Sequence, residues 1–320
     1  MSVPGVRIGH VTDRDAGTGC TVVIPPPGTI GAVDVRGGGP STRELELLHP
    51  LAGDREVTAL LFTGGSAFGL GAAVGVIEWC EEQGLGLQAG AARIPIVPAA
   101  VIYDIGITEN ARRPGSADGR AACERAVEGD VATGSVGAGT GATVGKVLGQ
   151  DGWCKGGLGY ATTTLYDGTR LAALVVVNAF GDVVAEDGSV LAGAWSNEAA
   201  DFVGTSAWAA ANPPVHHRLA SPEHTTLACL ITDAGLTKVE AGQVARAASA
   251  GVCQAVRPAA TGIDGDVAFC LATGQRTALA PVVGLVAAAV TAEAVRVAIT
   301  SASAVRGVPT GAERRSGGAE

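Results

Sequence analysis

Residues 223 to 234 run Glu-His-Thr-Thr-Leu-Ala-Cys-Leu-Ile-Thr-Asp-Ala, and no other stretch limits the fold as strongly. Thr225 and Thr226 open an apolar run that reads as a buried strand, closing on Thr232-Asp233-Ala234 before a helix. β-Branched residues fit a pleated surface, so two threonines at a strand start need no chemical explanation. A second reading is chemical. If the chain cuts itself between His224 and Thr225, Thr225 becomes both a new N-terminus and a nucleophile. Such a residue carries its own base, because its α-amino group takes the hydroxyl proton directly or through water. That amine has an ordinary pKa near ~8, so a useful fraction is neutral at physiological pH.

What precedes the strand suits a cut. Leu191 to His224 is the least regular part of the sequence, with Pro213-Pro214, His216-His217 and no sustained periodicity, as expected of a linker or cleavage loop. His216, His217 and His224 lack a metal-ligand spacing and read as solvated surface. No metal and no cofactor is expected.

The rest of the chain reads as strands interleaved with small-residue helices. Val6–Ile24 is strand, turn, strand; Gly31–Val35 is a further strand emptying into Arg36-Gly37-Gly38-Gly39-Pro40, with Ser41 or Thr42 able to cap a short helix. Thr58–Leu61 is a buried strand that breaks at Thr63-Gly64-Gly65-Ser66, a layout that places N–H groups at a helix N-terminus. Strands Ala161–Tyr166 and Leu171–Val177 flank the hairpin signal Asp167-Gly168. Thr237–Val256 is an amphipathic helix with Val239, Val244, Ala247 and Ala248 inward. The Ala/Val-rich run to Ser301 carries Glu293 and Arg296 and reads as a core helix, not a membrane span. The tail from Arg306 reads as mobile. The pattern fits a mixed α/β layered domain.

Composition removes several function classes. With 47% hydrophobic and 17% charged residues the chain is not disordered. A net charge of −9 argues against nucleic-acid binding, which needs a basic face. Seven cysteines without a CxxC pair, behind an N-terminus lacking a secretory pattern, suggest reduced thiols and a cytoplasmic location.

Three groups of residues invite chemistry. Gly134 to Lys146 resembles a nucleotide loop but fails both tests. Thr140 and Val147 stand where a Walker loop has Gly and Ser or Thr, and Ala142 closes the G-x-G-x-x-G count. The remaining reading is a glycine-lined loop presenting Lys146, which in a dry pocket can act as a base. Asn178, at a strand end, can donate its amide to an oxyanion or cap a turn. Asp264 and Asp266 flank Gly265 and could bind a cation, orient a proton carrier or make a plain turn.

Together, Asp34–Pro40, Gly64–Leu70, Gly137–Lys146, Val177-Asn178-Ala179, Thr225–Ala234 and Asp264-Gly265-Asp266 resemble, in order, a family of self-processing aminopeptidases. That family includes L-aminopeptidase/D-esterase, β-peptidyl aminopeptidases and nylon-oligomer hydrolases. The resemblance runs from about residue 5 to residue 300. It implies a single αββα sandwich over residues 1–320, akin to N-terminal-nucleophile hydrolases. It further implies cleavage into parts 1–224 and 225–320 that stay together, and an oligomer of four such units.

By position, Thr225 is then the expected nucleophile and Lys146 a base or charge partner. Asn178 is the expected oxyanion donor and Tyr103 a further donor. Asp264 and Asp266 form an acidic pair orienting the nucleophile. Nylon hydrolases place Asn before the nucleophile where this chain has His224. That residue contributes only its carbonyl, so cleavage is still expected. The implied reaction is hydrolysis of a small peptide or amide, nylon oligomers included, through an acyl-enzyme. An acyltransferase of the ornithine acetyltransferase type and an uncut, idle ligand-binding oligomer are the alternatives.

Overall fold

The computed structural model describes residues 2–53, 56–107, 112–213 and 224–317, so His216 and His217 lie outside the described residues. In chain order its main strands are β1 (Arg7–Asp13), β2 (Thr18–Ile24), β3 (Ile30–Val35), β4 (Thr42–Arg43), β5 (Leu60–Thr63), β6 (Ala99–Val101), β7 (Gly157–Thr164), β8 (Arg170–Asn178), β9 (Thr225–Ala234) and β10 (Val267–Arg276). Four helices flank them: α1 (Ala72–Glu82), α2 (Ser116–Glu124), α3 (Lys238–Ala255) and α4 (Ala280–Thr300).

The strands form two five-stranded sheets, ordered β1-β2-β5-β6-β4 and β7-β8-β9-β10-β3. In each sheet one internal pair is parallel, β5 with β6 and β9 with β10. The Thr225 stretch is thus a central strand, hydrogen-bonded to β8 on one side and β10 on the other.

Both faces of β9 are covered, which is why its sequence is a continuous apolar run rather than an alternation. Leu227, Cys229 and Ile231 enter a core shared with Phe62 of the facing sheet and with Leu174, Val176 and Phe269. Ala228 and Leu230 meet α3 and α4 at Val244, Ala248, Ala287 and Val290. A third core joins α1 and α2 to the outer face of the first sheet through Val22, Leu61, Val76 and Cys123. The layers are helix, sheet, sheet, helix. With few aromatic side chains, the core closes by bringing backbones together. A Cβ on Gly159 of β7 would stand 1.8 Å from the Ala294 carbonyl oxygen of α4, so only glycine allows that approach.

Several sequence expectations need correction. Val239 is exposed: it sits in the first turn of α3, on the solvent side of the Thr237–Glu240 capping box that opens the helix. Ser41 and Thr42 cap nothing. Thr42 pairs in β4, and the short 3-10 turn Leu45–Leu48 starts at Glu44 without a side-chain cap. The strand expected at Thr58 begins at Leu60, because Thr58 is spent on Ile96, its hydroxyl accepting from the Ile96 N–H. The tail after Arg306 forms the helix Gly311–Gly317. Thr310 and Glu313 cap it, and Arg314 holds it by donating to the Asp151 and Trp153 carbonyls. Leu191–Asn212 contains the short pairing of Trp195-Ser196 with Asp201-Phe202 and the helix Thr205–Ala211, and its start belongs to a strand that pairs with Val183-Val184. α4 is long and apolar enough to cross a membrane, yet half of it is buried against the second sheet.

Candidate active site

Thr225 is the first residue of β9, and its side chain points between the sheets, as Leu227 does two residues on. Its hydroxyl donates to the carbonyl of His224 at 2.6 Å. The same carbonyl accepts the Gly265 N–H, also at 2.6 Å. One oxygen therefore receives a hydroxyl and a backbone donor. The loop before β10 brings Gly265 there, because His224 and Asp264 already pair as a parallel bridge. A Cβ on Gly265 would lie 2.6 Å from the Thr225 Oγ1, so this approach also requires glycine.

The acidic pair acts through main chain. Asp266 accepts the Thr226 N–H at 2.6 Å on one oxygen and the Ala260 N–H at 2.8 Å on the other. It thereby fixes the start of β9 from the helix side. Burial, and then the neighbouring Asp264 carboxylate, push the Asp266 carboxyl up to about 7, against those two donors. Asp264 accepts from the N–H and hydroxyl of Thr261 and so closes its own turn. The Arg36–Gly39 segment braces this loop: the N–H groups of Arg36 and Gly37 reach the Asp266 carbonyl, and that of Gly39 the Asp264 carbonyl. Its bareness serves another chain segment. Among the described residues no group of three His, Cys, Asp or Glu side chains is placed to hold a metal.

Asn178 ends β8 directly opposite Thr225 in the antiparallel register. Its amide is held on both sides. Oδ1 accepts the Thr143 N–H and the Lys146 ammonium, each at 3.0 Å, and Nδ2 donates to the Tyr103 carbonyl at 3.2 Å. This pattern sets the amide's orientation. Lys146 is buried, and its Nζ lies 5.6 Å from the centre of the Trp153 ring. Tyr103 enters the constellation through its carbonyl. Thr225, Lys146, Asn178, Tyr103 and the Gly265 loop thus gather at one end of the sandwich. Beside Trp153 opens a cleft of about 450 Å³, lined also by Gly106, Gln150, Asp151, Arg306 and Arg314.

The glycine loop before Lys146 is folded onto backbone and offers no phosphate cradle. A Cβ on Gly139 would stand 2.3 Å from the Leu158 nitrogen, and one on Gly145 2.0 Å from the Gly193 carbonyl carbon.

Sequence reasoning passed over three features. The Gly265 N–H is one, since a backbone donor leaves no mark in composition. The second is two buried charged residues, Lys155 and Asp104. Lys155 donates to the carbonyls of Gly139 and Ala142, and Asp104 accepts from the Thr18 hydroxyl at 2.6 Å and the Gly65 N–H at 2.7 Å. Burial pulls Lys155 down to about 7 against the attraction of Asp104, and pushes Asp104 up to about 6 against its two hydrogen bonds. A lysine inside a glycine-rich apolar run was the available signal. The third is Phe180, whose ring packs on that of His224 and helps bury it, against the solvated position expected for that histidine.

A model of peptidase family S58 matches residues 1–312. An uncharacterised aminopeptidase of Mycobacterium tuberculosis is 39% identical over 343 aligned residues, spanning 96% of this chain and 95% of the relative. A 6-aminohexanoate-oligomer endohydrolase of Paenarthrobacter ureafaciens is 33% identical over 281 residues, 85% of this chain and 74% of that protein. Among solved structures, a Burkholderia β-aminopeptidase superposes with a TM-score of 0.73 at 21% identity, covering 99% of this chain and 91% of its own. The L-aminopeptidase D-Ala-esterase/amidase of Ochrobactrum anthropi, described as a variant of the Ntn hydrolase fold, superposes with a TM-score of 0.70 at 19% identity, covering 99% and 92%. The helix–sheet–sheet–helix layering is the fold of these proteins.

Proposed function

This chain belongs to peptidase family S58, and we propose that it works there as a self-processing amide hydrolase whose nucleophile is Thr225. The observation that carries this reading is the meeting of Thr225 Oγ1 and the Gly265 N–H on the His224 carbonyl, each at 2.6 Å. In the uncut chain Oγ1 attacks that carbonyl carbon while the Gly265 N–H draws charge onto its oxygen. The C–N bond to Thr225 breaks as the C–O bond forms, the proton passes to the departing nitrogen, and water splits the resulting ester. The freed α-amine then stands beside its own hydroxyl.

In turnover the same hydroxyl attacks a substrate carbonyl, and the amine, with Lys146 near by, accepts its proton. Gly265 and the Asn178 amide hold the oxyanion, each good donor contributing roughly 3 kcal/mol. The proton passes to the leaving amine, and water releases the acyl group from Thr225. Small peptides and amides are the substrate class. Nylon oligomers fall within it, because the Paenarthrobacter relative is named for them. The reading includes fragments 1–224 and 225–320, an assembly of four processed units, and a cytoplasmic location that suits seven free thiols.

Intact mass under denaturing conditions tests it. Two masses meeting at His224/Thr225 are expected from the wild-type chain, and one uncut, inactive chain from Thr225→Ala. A Thr225→Ala protein that still splits there overturns the mechanism. A stable full-length wild type that releases no amine overturns the function.

A further inference from the structure

The residue that donates the attacked carbonyl has a seat of its own. His224 is 3% exposed, and its ring packs on Phe180 with centroids 4.7 Å apart and planes tilted by 58°. Phe180 belongs to a small apolar cluster with Val147 and Ala194, against which Leu148 and Ile263 pack. The cluster is built from the same turns as the reacting groups. Phe180 follows Asn178 by two residues, Val147 directly follows Lys146, and Ile263 directly precedes Asp264.

The next step rests on the proposal that Thr225 attacks both its own chain and a substrate. Each reaction needs Oγ1 on a carbonyl carbon and the Gly265 N–H on the carbonyl oxygen. One hydroxyl and one N–H cannot serve two carbonyls at once, so a substrate enters only as His224 departs. The group attached to the substrate carbonyl then comes into the space the imidazole vacates. We infer that the Phe180 pocket, filled by His224 before the cut, is the acyl pocket of the processed enzyme and selects acyl groups with aromatic or branched apolar side chains. The wall that packs on a flat imidazole presents an aromatic face and aliphatic neighbours. It suits a phenyl or isobutyl group, leaves a glycyl group loose, and offers an acidic one no partner.

The test uses fully processed protein and the p-nitroanilides of phenylalanine, leucine, glycine and aspartate, each with free and acetylated amine. Phenylalanyl and leucyl anilides are expected to exceed the glycyl one in kcat/KM by about tenfold or more, a usual reward for filling an apolar pocket. Phe180→Ala is expected to collapse that ratio towards one, and Phe180→Leu to keep part of it; completeness of the cut reports that each variant has folded. A ratio indifferent to both substitutions, in variants that still cut themselves and still hydrolyse anilides, overturns the pocket assignment alone. Processed protein that hydrolyses none of the anilides overturns the hydrolase reading, and the pocket with it.

Discussion

Asn178 and Thr225 stand directly opposite one another on adjacent antiparallel strands, the last pair of the β8–β9 register. Directly paired residues share a face with Cβ atoms about 5 Å apart. The amide therefore lies beside the Thr225 side chain, and its orientation is fixed by Thr143, Lys146 and Tyr103.

Replacing Asn178 by Asp keeps an acceptor for Thr143 and Lys146 but removes the N–H donors. The expected result in processed protein is a fall in kcat of ~10²- to 10³-fold, with KM moving far less. Steady-state kinetics on one small amide measures this, and an unchanged kcat would remove Asn178 from the oxyanion site.

Gly265→Ala places a methyl group 2.6 Å from the Thr225 Oγ1 and 3.0 Å from the Gly39 carbonyl oxygen. The loop must retreat, taking its N–H from the His224 carbonyl. Self-cleavage is expected to slow by ~10²-fold or more, the usual effect of losing one such donor. A time course of intact mass reads the rate, and a variant that cuts as fast as wild type contradicts the assignment.

Asp266 sets a pH dependence. Its folded carboxyl is raised to about 7, so over roughly pH 4 to 7 the folded chain keeps a proton the unfolded chain has lost. Its contribution to stability therefore falls as pH rises through that window. Asp104, raised to about 6, acts in the same direction, while His10, lowered to about 4, acts in the opposite one. Both remain in Asp266→Asn, so the difference between the two proteins isolates Asp266. In an uncut Thr225→Ala background, urea midpoints are expected to diverge steadily from pH 4 to 7, the Asn variant gaining. A pH-independent difference refutes the shift.

Lys155 and Asp104 hold the two backbone segments that grip the Asn178 amide. Lys155 fastens Ala142, next to Thr143, and Asp104 follows Tyr103. Lys155→Met leaves the buried Ala142 carbonyl without its donor and removes a positive charge that favours the Asp104 carboxylate, and is expected to cost about 1–3 kcal/mol. Adding Asp104→Asn should recover part of that loss. Denaturation of the single and double variants forms the cycle, and strictly additive losses would mean the two charges do not act as a pair.

The layered α/β character was legible where the sequence has to bury both faces of a strand, while the sandwich order came only with the family resemblance. The apolar run after Thr226 read as a buried strand and the Ala-rich segments that became α3 and α4 as core helices. The candidate residues Thr225, Lys146 and Asn178 stood out through types that carry chemistry in their side chains, and the structure brings them to one end of the sandwich. What escaped lies in the backbone or across the chain. The Gly265 N–H serves His224 from a loop some forty residues on. Asp266 was placed in an acidic pair, but the Thr226 N–H as its partner depends on the parallel β9–β10 pairing, which no local pattern encodes. Val239 fitted an apolar face by spacing, but it lies in the capped first turn of the helix and is exposed. The final helix was hidden because it is held on the body by long-range contacts of Arg314 and Arg315 with distant carbonyls, which no local pattern encodes.

β9 is the middle strand of its sheet, and that position changes what a cut before Thr225 means for assembly. The smaller piece supplies β9, β10, α3 and α4, while β8 and β3 on either side belong to the larger one. Neither piece retains a closed sheet by itself. A protein severed there would be thermodynamically a two-chain complex, its unfolding a dissociation governed by mass action. Refolding has to wait for two chains to meet, whereas the first folding event needs only one. On the proposed processing, the intact bond before Thr225 would give the chain its single intramolecular passage to the native sheet, and the cut molecule would persist on the barrier to leaving it.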